Sequence, residues 1–178
     1  FSVERISKAG AKFDFEKAKW YNHEWIKNAA AEHLMSAVKL ELSAHGITVH
    51  DDLYLLKVID LIKDRCYLLT DFVPQAGYFF SLPDKYDIDA VKPKWTAEKA
   101  AFFQAYSASF DLSLNTSEQE QKFKDMAVSH GFKPGELMLP FRVMLVGGKF
   151  GPGVFDIALT LGVSEVQERI KTAIITFN

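Results

Sequence analysis

The sequence predicts an all-α protein. Three observations carry that expectation: apolar residues recur at helical spacing along nearly the whole chain, cap residues (Asp, Thr, Ser) precede many of those segments, and Gly or Pro follows them. Asp14 stands before Phe15, Glu16, Lys17, Ala18, Lys19 and Trp20, an N-cap followed by helix formers. A second helix is expected from about Lys27 to Ala44, stopped by Gly46. Asp51 or Asp52 caps a third, in which Leu53, Leu56, Ile59 and Ile62 form one apolar stripe. A short helix is expected over Thr70 to Gly77, with Pro74 in its first turn. Pro83 to Pro93 is polar and bounded by prolines, and reads as a surface loop or domain boundary. Thr96 then caps a helix to about Leu112. Ser117 and Glu120 have capping-box spacing for another that ends at Gly131. Pro134 starts the next, which Pro140 is expected to interrupt or kink. Gly147 to Gly153 is a flexible break. Helix returns from about Pro152, stops at Gly162 and restarts at a Ser164 cap, where Val166, Ile170, Ala173, Ile174 and Phe177 form a packing stripe. The elements make a helical bundle in two halves, hinged near Pro83.

Composition narrows the class without naming a function. Among 178 residues, 48% apolar and 25% charged is a globular mixture that excludes a disordered chain. No apolar run approaches the ~18–20 residues of a membrane span. A lone cysteine, Cys66, excludes an internal disulfide framework and fits a reducing cytosol. The chain opens on Phe1, so a piece of a longer protein is expected. A net charge of −2 leaves nucleic acid open, because a basic face can hide inside a balanced total.

Enzymatic constellations are mostly missing. His45 and His50 lack a Cys or carboxylate to complete a zinc spacing, and His23-Glu24 lacks the second histidine of a metalloprotease helix. Surface or satisfied histidines are the better account. Asp51-Asp52 sits where a cap belongs, and Cys66 has no local base and reads as a buried structural thiol. The glycine-rich break before a helix could present free N–H groups to an anion. It fails the P-loop pattern, since Phe150 follows Lys149 where Ser or Thr is required. What remains is a tight helix connection, or a loop whose backbone could meet a phosphate or a base edge.

Two blocks carry a resemblance. Arg5 through Asn22 (RISKAGAKFDFEKAKWYN) is similar to the segment that follows the catalytic half of bacterial glutamyl-tRNA synthetases. Leu139-Pro140-Phe141-Arg142-Val143-Met144-Leu145-Val146-Gly147, then Gly151-Pro152-Gly153-Val154-Phe155-Asp156-Ile157 and the Leu161-Gly162 stop, resembles that family's C-terminal signature. Arg65 to Phe72 and Tyr78-Phe79-Phe80 also fit between them, while residues 81–135 match only as generic helices.

The resemblance implies two consecutive helical anticodon-binding subdomains, 29–82 and 83–178, after a connector, 1–28, from the stem-contact region. It implies that Arg65 reads the third anticodon base, a task suited to a guanidinium fork; the plain alternative is a helix C-terminal arginine favoured by the dipole. Gly151, Pro152, Gly153, Val154 and Phe155, with Arg142 nearby, would meet the first two bases, offering apolar or aromatic platforms and backbone groups. Lys8, Lys12 and Lys19 would meet tRNA phosphates. The parent enzyme would join glutamate to its tRNA with ATP and Mg, while this piece would hold no cofactor, lack the catalytic half and be inactive alone. The implied partner is glutamate tRNA, in the cytoplasm, with no membrane and a monomeric state. Two other readings stay open: a helical protein-interaction module docking through exposed Phe and Trp, and an enzyme using the glycine loop for a phosphorylated substrate.

Overall fold

A computed structural model describes residues 13–177. Among the described residues the only regular elements are helices, ten α-helices with short 3₁₀ turns between some of them. α1 (Phe15–Asn28) is capped by Asp14, whose carboxylate accepts from Lys17 N at 3.0 Å. α2 (Ala31–Ala44) is a separate helix, not one that begins at Lys27. Ala29 and Ala30 are extended, and the Lys63 ammonium donates to Ala29 O at 3.0 Å, so the chain turns at a point that no sequence breaker marks. α3 (Asp52–Ile62) is capped by Asp51, which accepts from Leu53 N and Tyr54 N. Its buried face is Leu55, Val58, Ile59 and Ile62, while Leu53 is exposed. A strict period of three drifts around a 3.6-residue helix, so the expected stripe points partly outward.

A 3₁₀ turn, Lys63–Arg65, follows α3, and a second, Leu69–Asp71, leads into α4 (Phe72–Phe80). Pro74 lies in the first turn of α4 as expected. The Pro83–Pro93 stretch is not all loop: Asp87 caps a single turn, α5 (Ile88–Val91), and Val91 is buried. α6 (Ala97–Ala108), capped by Thr96, stops four residues before Leu112. The capping box of α7 (Thr116–Ser129) is Asn115 with Glu118, two residues ahead of the Ser117–Glu120 pair. α8 (Gly135–Val146) runs through Pro140 without interruption. α9 (Val154–Leu161) follows the glycine-rich segment, and α10 (Val163–Phe177) starts directly after Gly162, not at a Ser164 cap.

α2, α3 and α4 pack together, and α10 lies against α6, α8 and α9. Rings of Phe102, Phe103, Tyr106, Phe123, Phe141 and Phe155 stack and cross at the centre of the second group. α10 buries its expected stripe of Val166, Ile170, Ala173, Ile174 and Phe177. Gly147 ends α8 at φ 77°, and a Cβ there would collide with the Lys85 carbonyl. Only glycine fits where the chain must bend back so closely. No helix among the described residues is long and apolar enough to cross a membrane.

Candidate nucleic-acid interface

The site forms where the end of α3, the middle of α4, the face of α8 and the glycine-rich segment meet. Arg65 closes the 3₁₀ turn after α3 and is exposed. Arg142, on α8, is half-buried and its Nη1 donates to Pro152 O at 2.7 Å. That bond fixes the segment leading into α9. Gly151, at φ 144°, presses its backbone onto the same place: a Cβ there would sit 3.3 Å from Arg142 Nη1 and 3.4 Å from the Tyr78 hydroxyl.

Electrostatics tie the same groups together. Burial pushes the Tyr78 hydroxyl up to about 12, opposed by the charges of Arg142 and Arg65. Burial also pulls Arg142 down, and the Arg65 charge acts in the same direction against a counter-effect from Tyr78. Two guanidiniums and one buried phenol thus share a neighbourhood, although they come from three separate parts of the chain. The Tyr78 hydroxyl has no hydrogen-bond partner among the described residues. Beside Arg142 lies a groove of about 400 Å³ whose wall includes Leu139, Val154 and Glu120.

Not every expected contact residue is available. Pro152 and Val154 are buried, and Phe155 is 4% exposed with its ring against Phe123 and Phe141. Phe155 is a core residue, which corrects its expected role as an open base platform. The exposed aromatic of the segment is Phe150, at 84%. Sequence reasoning passed over it as the residue that breaks a P-loop, yet an aromatic set among glycines was the available signal. The anion-cradle expectation also fails at α9. Asp156 occupies its first turn, accepts from Thr116 Oγ1 at 2.7 Å and lies against the Gly153 backbone, so a carboxylate already holds that helix start.

On the other side of Arg65, α1 packs on the 63–65 turn. His23 Nδ1 pairs with Cys66 O at 3.0 Å, and its ring stacks on Tyr67 at 4.1 Å. The exposed Lys19 places its Nζ 5.4 Å from the centre of the Tyr67 ring, the range of a cation–π contact. Nothing local in the sequence joins positions 23 and 67. Lys8 and Lys12 lie outside the described residues. Cys66 is buried, as expected, and burial raises its thiol to about 12. Among the described residues no group of three or more His, Cys, Asp or Glu is placed to hold a metal ion.

An all-helical body that sets Arg142 and a glycine-rich backbone beside Tyr78, within reach of the Arg65 charge, is the class of helical domain the comparisons also find. Residues 15–174 match the family described as an anticodon binding domain, and the chain belongs to that family. Within it the chain resembles glutamate–tRNA ligases. It is 34% identical to that of Porphyromonas gingivalis strain W83 over 176 residues, and 35% identical to that of Phocaeicola vulgatus over 178. Both alignments cover 98% of this chain and 35% of the relative. The crystal structure of a glutamate tRNA ligase from Elizabethkingia meningosepticum in complex with its amino acid superposes with a TM-score of 0.84 at 31% identity, over 100% of this chain and 36% of that one. The glutamate–tRNA synthetase of Elizabethkingia anophelis gives 0.82 at 29% identity, over 98% and 34%. The chain thus spans about a third of the length of these relatives.

Proposed function

We propose that this chain is the anticodon-reading part of a glutamate–tRNA ligase and that it binds the anticodon arm of glutamate tRNA. The observation that carries the reading is the convergence of Arg65, Arg142 and the Gly151 backbone beside Tyr78. Splayed anticodon bases need donors that read an edge and flat surfaces that accept a ring. Arg65, exposed at the end of its turn, offers a planar fork to the acceptor edge of the third base. The segment held by Arg142 offers backbone groups to the first two bases, and Phe150 offers the open ring that Phe155 does not. Lys19 supplies a charge for the backbone phosphates.

In such a ligase the joining step, with ATP and Mg, would fall to a catalytic half outside this chain. The contribution of these helices is to hold the tRNA so that its acceptor end meets that chemistry in one orientation. The test is binding of the whole chain to glutamate tRNA, and to a tRNA with an unrelated anticodon, at two salt concentrations. Affinity that falls with salt and with the anticodon change supports the reading. Equal affinity for both tRNAs contradicts it.

A further inference from the structure

Among the described residues Arg169 is the most buried large side chain that carries a charge, at 0% exposure in the middle of α10. A lone guanidinium taken out of water is costly, so its partners show what holds it there. They come from three places. Nε and Nη2 bind Glu165 Oε2, both at 3.0 Å, one turn back on α10. Nη1 donates to Leu145 O at 2.6 Å, one of the last carbonyls of α8. Nη2 donates to Ser81 O at 3.0 Å, the residue that ends α4.

These carbonyls are not incidental acceptors. Leu145 O is one of the last carbonyls of α8, which lack intrahelical partners and carry the negative end of its dipole, while Ser81 is the extended residue just past α4. One cation holds both places at once. Each end leads into the candidate interface: Tyr78 stands three residues before Ser81, and Leu145 stands two before the Gly147 turn that opens the Phe150–Pro152 segment. Arg65 lies on the α4 side of this joint and Arg142 on the α8 side. Besides the Arg142–Pro152 bond within its own half, the segment is tied from Asp87 N to Gly147 O at 2.7 Å and from Lys149 to Asp87 at 3.0 Å, and that tie reaches only the short α5 cap.

We infer that Arg169 is a positioning residue for anticodon discrimination: by clamping the ends of α4 and α8 together it sets the distance between the Arg65 reader and the Phe150–Pro152 segment. It touches no RNA. The inference rests on the anticodon-reading proposal, but its test has one arm free of RNA. Lysine keeps the charge and loses the fork, so it cannot reach two carbonyls and a carboxylate together.

The experiment compares wild type, Arg169→Lys and Glu165→Ala in the whole chain. Spin labels on cysteines introduced at the exposed Lys57 of α3 and Ser129 of α7 report the distance across the joint; the native Cys66 is buried. Binding to glutamate tRNA and to its third-base variant gives a discrimination ratio. Arg169→Lys is expected to broaden the distance distribution and lower the ratio about fivefold or more, with helical circular dichroism retained. Glu165→Ala, which leaves both carbonyl bonds in place, is expected to lower the ratio about two- to threefold, and it decides the matter should Arg169→Lys not fold. A wild-type distance distribution and ratio in a folded Arg169→Lys protein, or a wild-type ratio in Glu165→Ala where that variant decides, would overturn the inference. A wild type that ignores the third base would instead defeat the anticodon-reading proposal, and the distance measurement would still stand.

Discussion

Phe150 and Phe155 flank Gly151–Val154, and the structure gives them opposite tasks. Phe150 is 84% exposed, so truncating it removes almost no buried area. Phe150→Ala should leave stability within about 0.5 kcal/mol of wild type. A base stacked on an aromatic side chain is worth roughly 1–3 kcal/mol. At about 1.4 kcal/mol per tenfold, Phe150→Ala should weaken tRNA binding about 5- to 140-fold. Phe155 is 4% exposed and its ring lies 5.4 Å from Phe123 and 5.8 Å from Phe141. Opening that cavity should cost about 3–5 kcal/mol. For a chain of this size that is a fall in Tm of roughly 6–20 °C. Thermal unfolding by circular dichroism and tRNA binding by fluorescence anisotropy read the two effects separately. Unchanged tRNA affinity in Phe150→Ala would refute the platform role, and an unchanged Tm in Phe155→Ala would refute the core role.

Three further outcomes follow from the same geometry. Gly147→Ala puts a Cβ at φ 77° against the Lys85 carbonyl, and should cost at least about 1–2 kcal/mol, read as a lower Tm. Arg142→Met leaves Pro152 O without its donor, and should cost about 1–3 kcal/mol while weakening binding at the first two anticodon bases; intact binding would show that the bond does not order the segment. Burial raises Cys66 from its ordinary 9.0, and Tyr54 and Tyr78 from 10.0, each to about 12. Above pH 9 the unfolded chain therefore releases protons that the folded chain keeps. Stability from these groups is complete below pH 9 and is lost as pH rises toward 12. Tm measured from pH 8 to 11 should fall, and a Tm that rises over that range would contradict the assignment.

Much of the helical framework was legible because it is local. Asp14, Asp51 and Thr96 cap the helices they precede, and Gly46, Gly131 and Gly162 stand just beyond helix ends. The errors were also local in origin. Ser117–Glu120 has capping-box spacing, but the box forms two residues earlier at Asn115–Glu118, and Pro140, expected to break its helix, sits inside an unbroken one. At the Ala29–Ala30 break the freed Ala29 carbonyl meets a lysine 34 residues away, a pairing no local pattern records. In the interface, the resemblance pointed to Arg65, Arg142 and Gly151; the Gly151 backbone lies beside Arg142 and Tyr78, and the Arg65 charge acts on both of those side chains. It could not separate Phe150 from Phe155, because exposure of two aromatics in one segment is decided by the ring cluster they do or do not join. Arg169 carries no local signal of burial, since Glu165 at i−4 is the pattern of an ordinary exposed helix pair.

The most direct test of the account crosses Arg65 with the base it is proposed to read. Affinities of wild type and Arg65→Gln are measured for glutamate tRNA and for the same tRNA with its third anticodon base changed. The account predicts that wild type prefers the cognate tRNA by roughly 1–3 kcal/mol and that Arg65→Gln loses most of that preference. Equal losses on both tRNAs, with the preference intact, would contradict it.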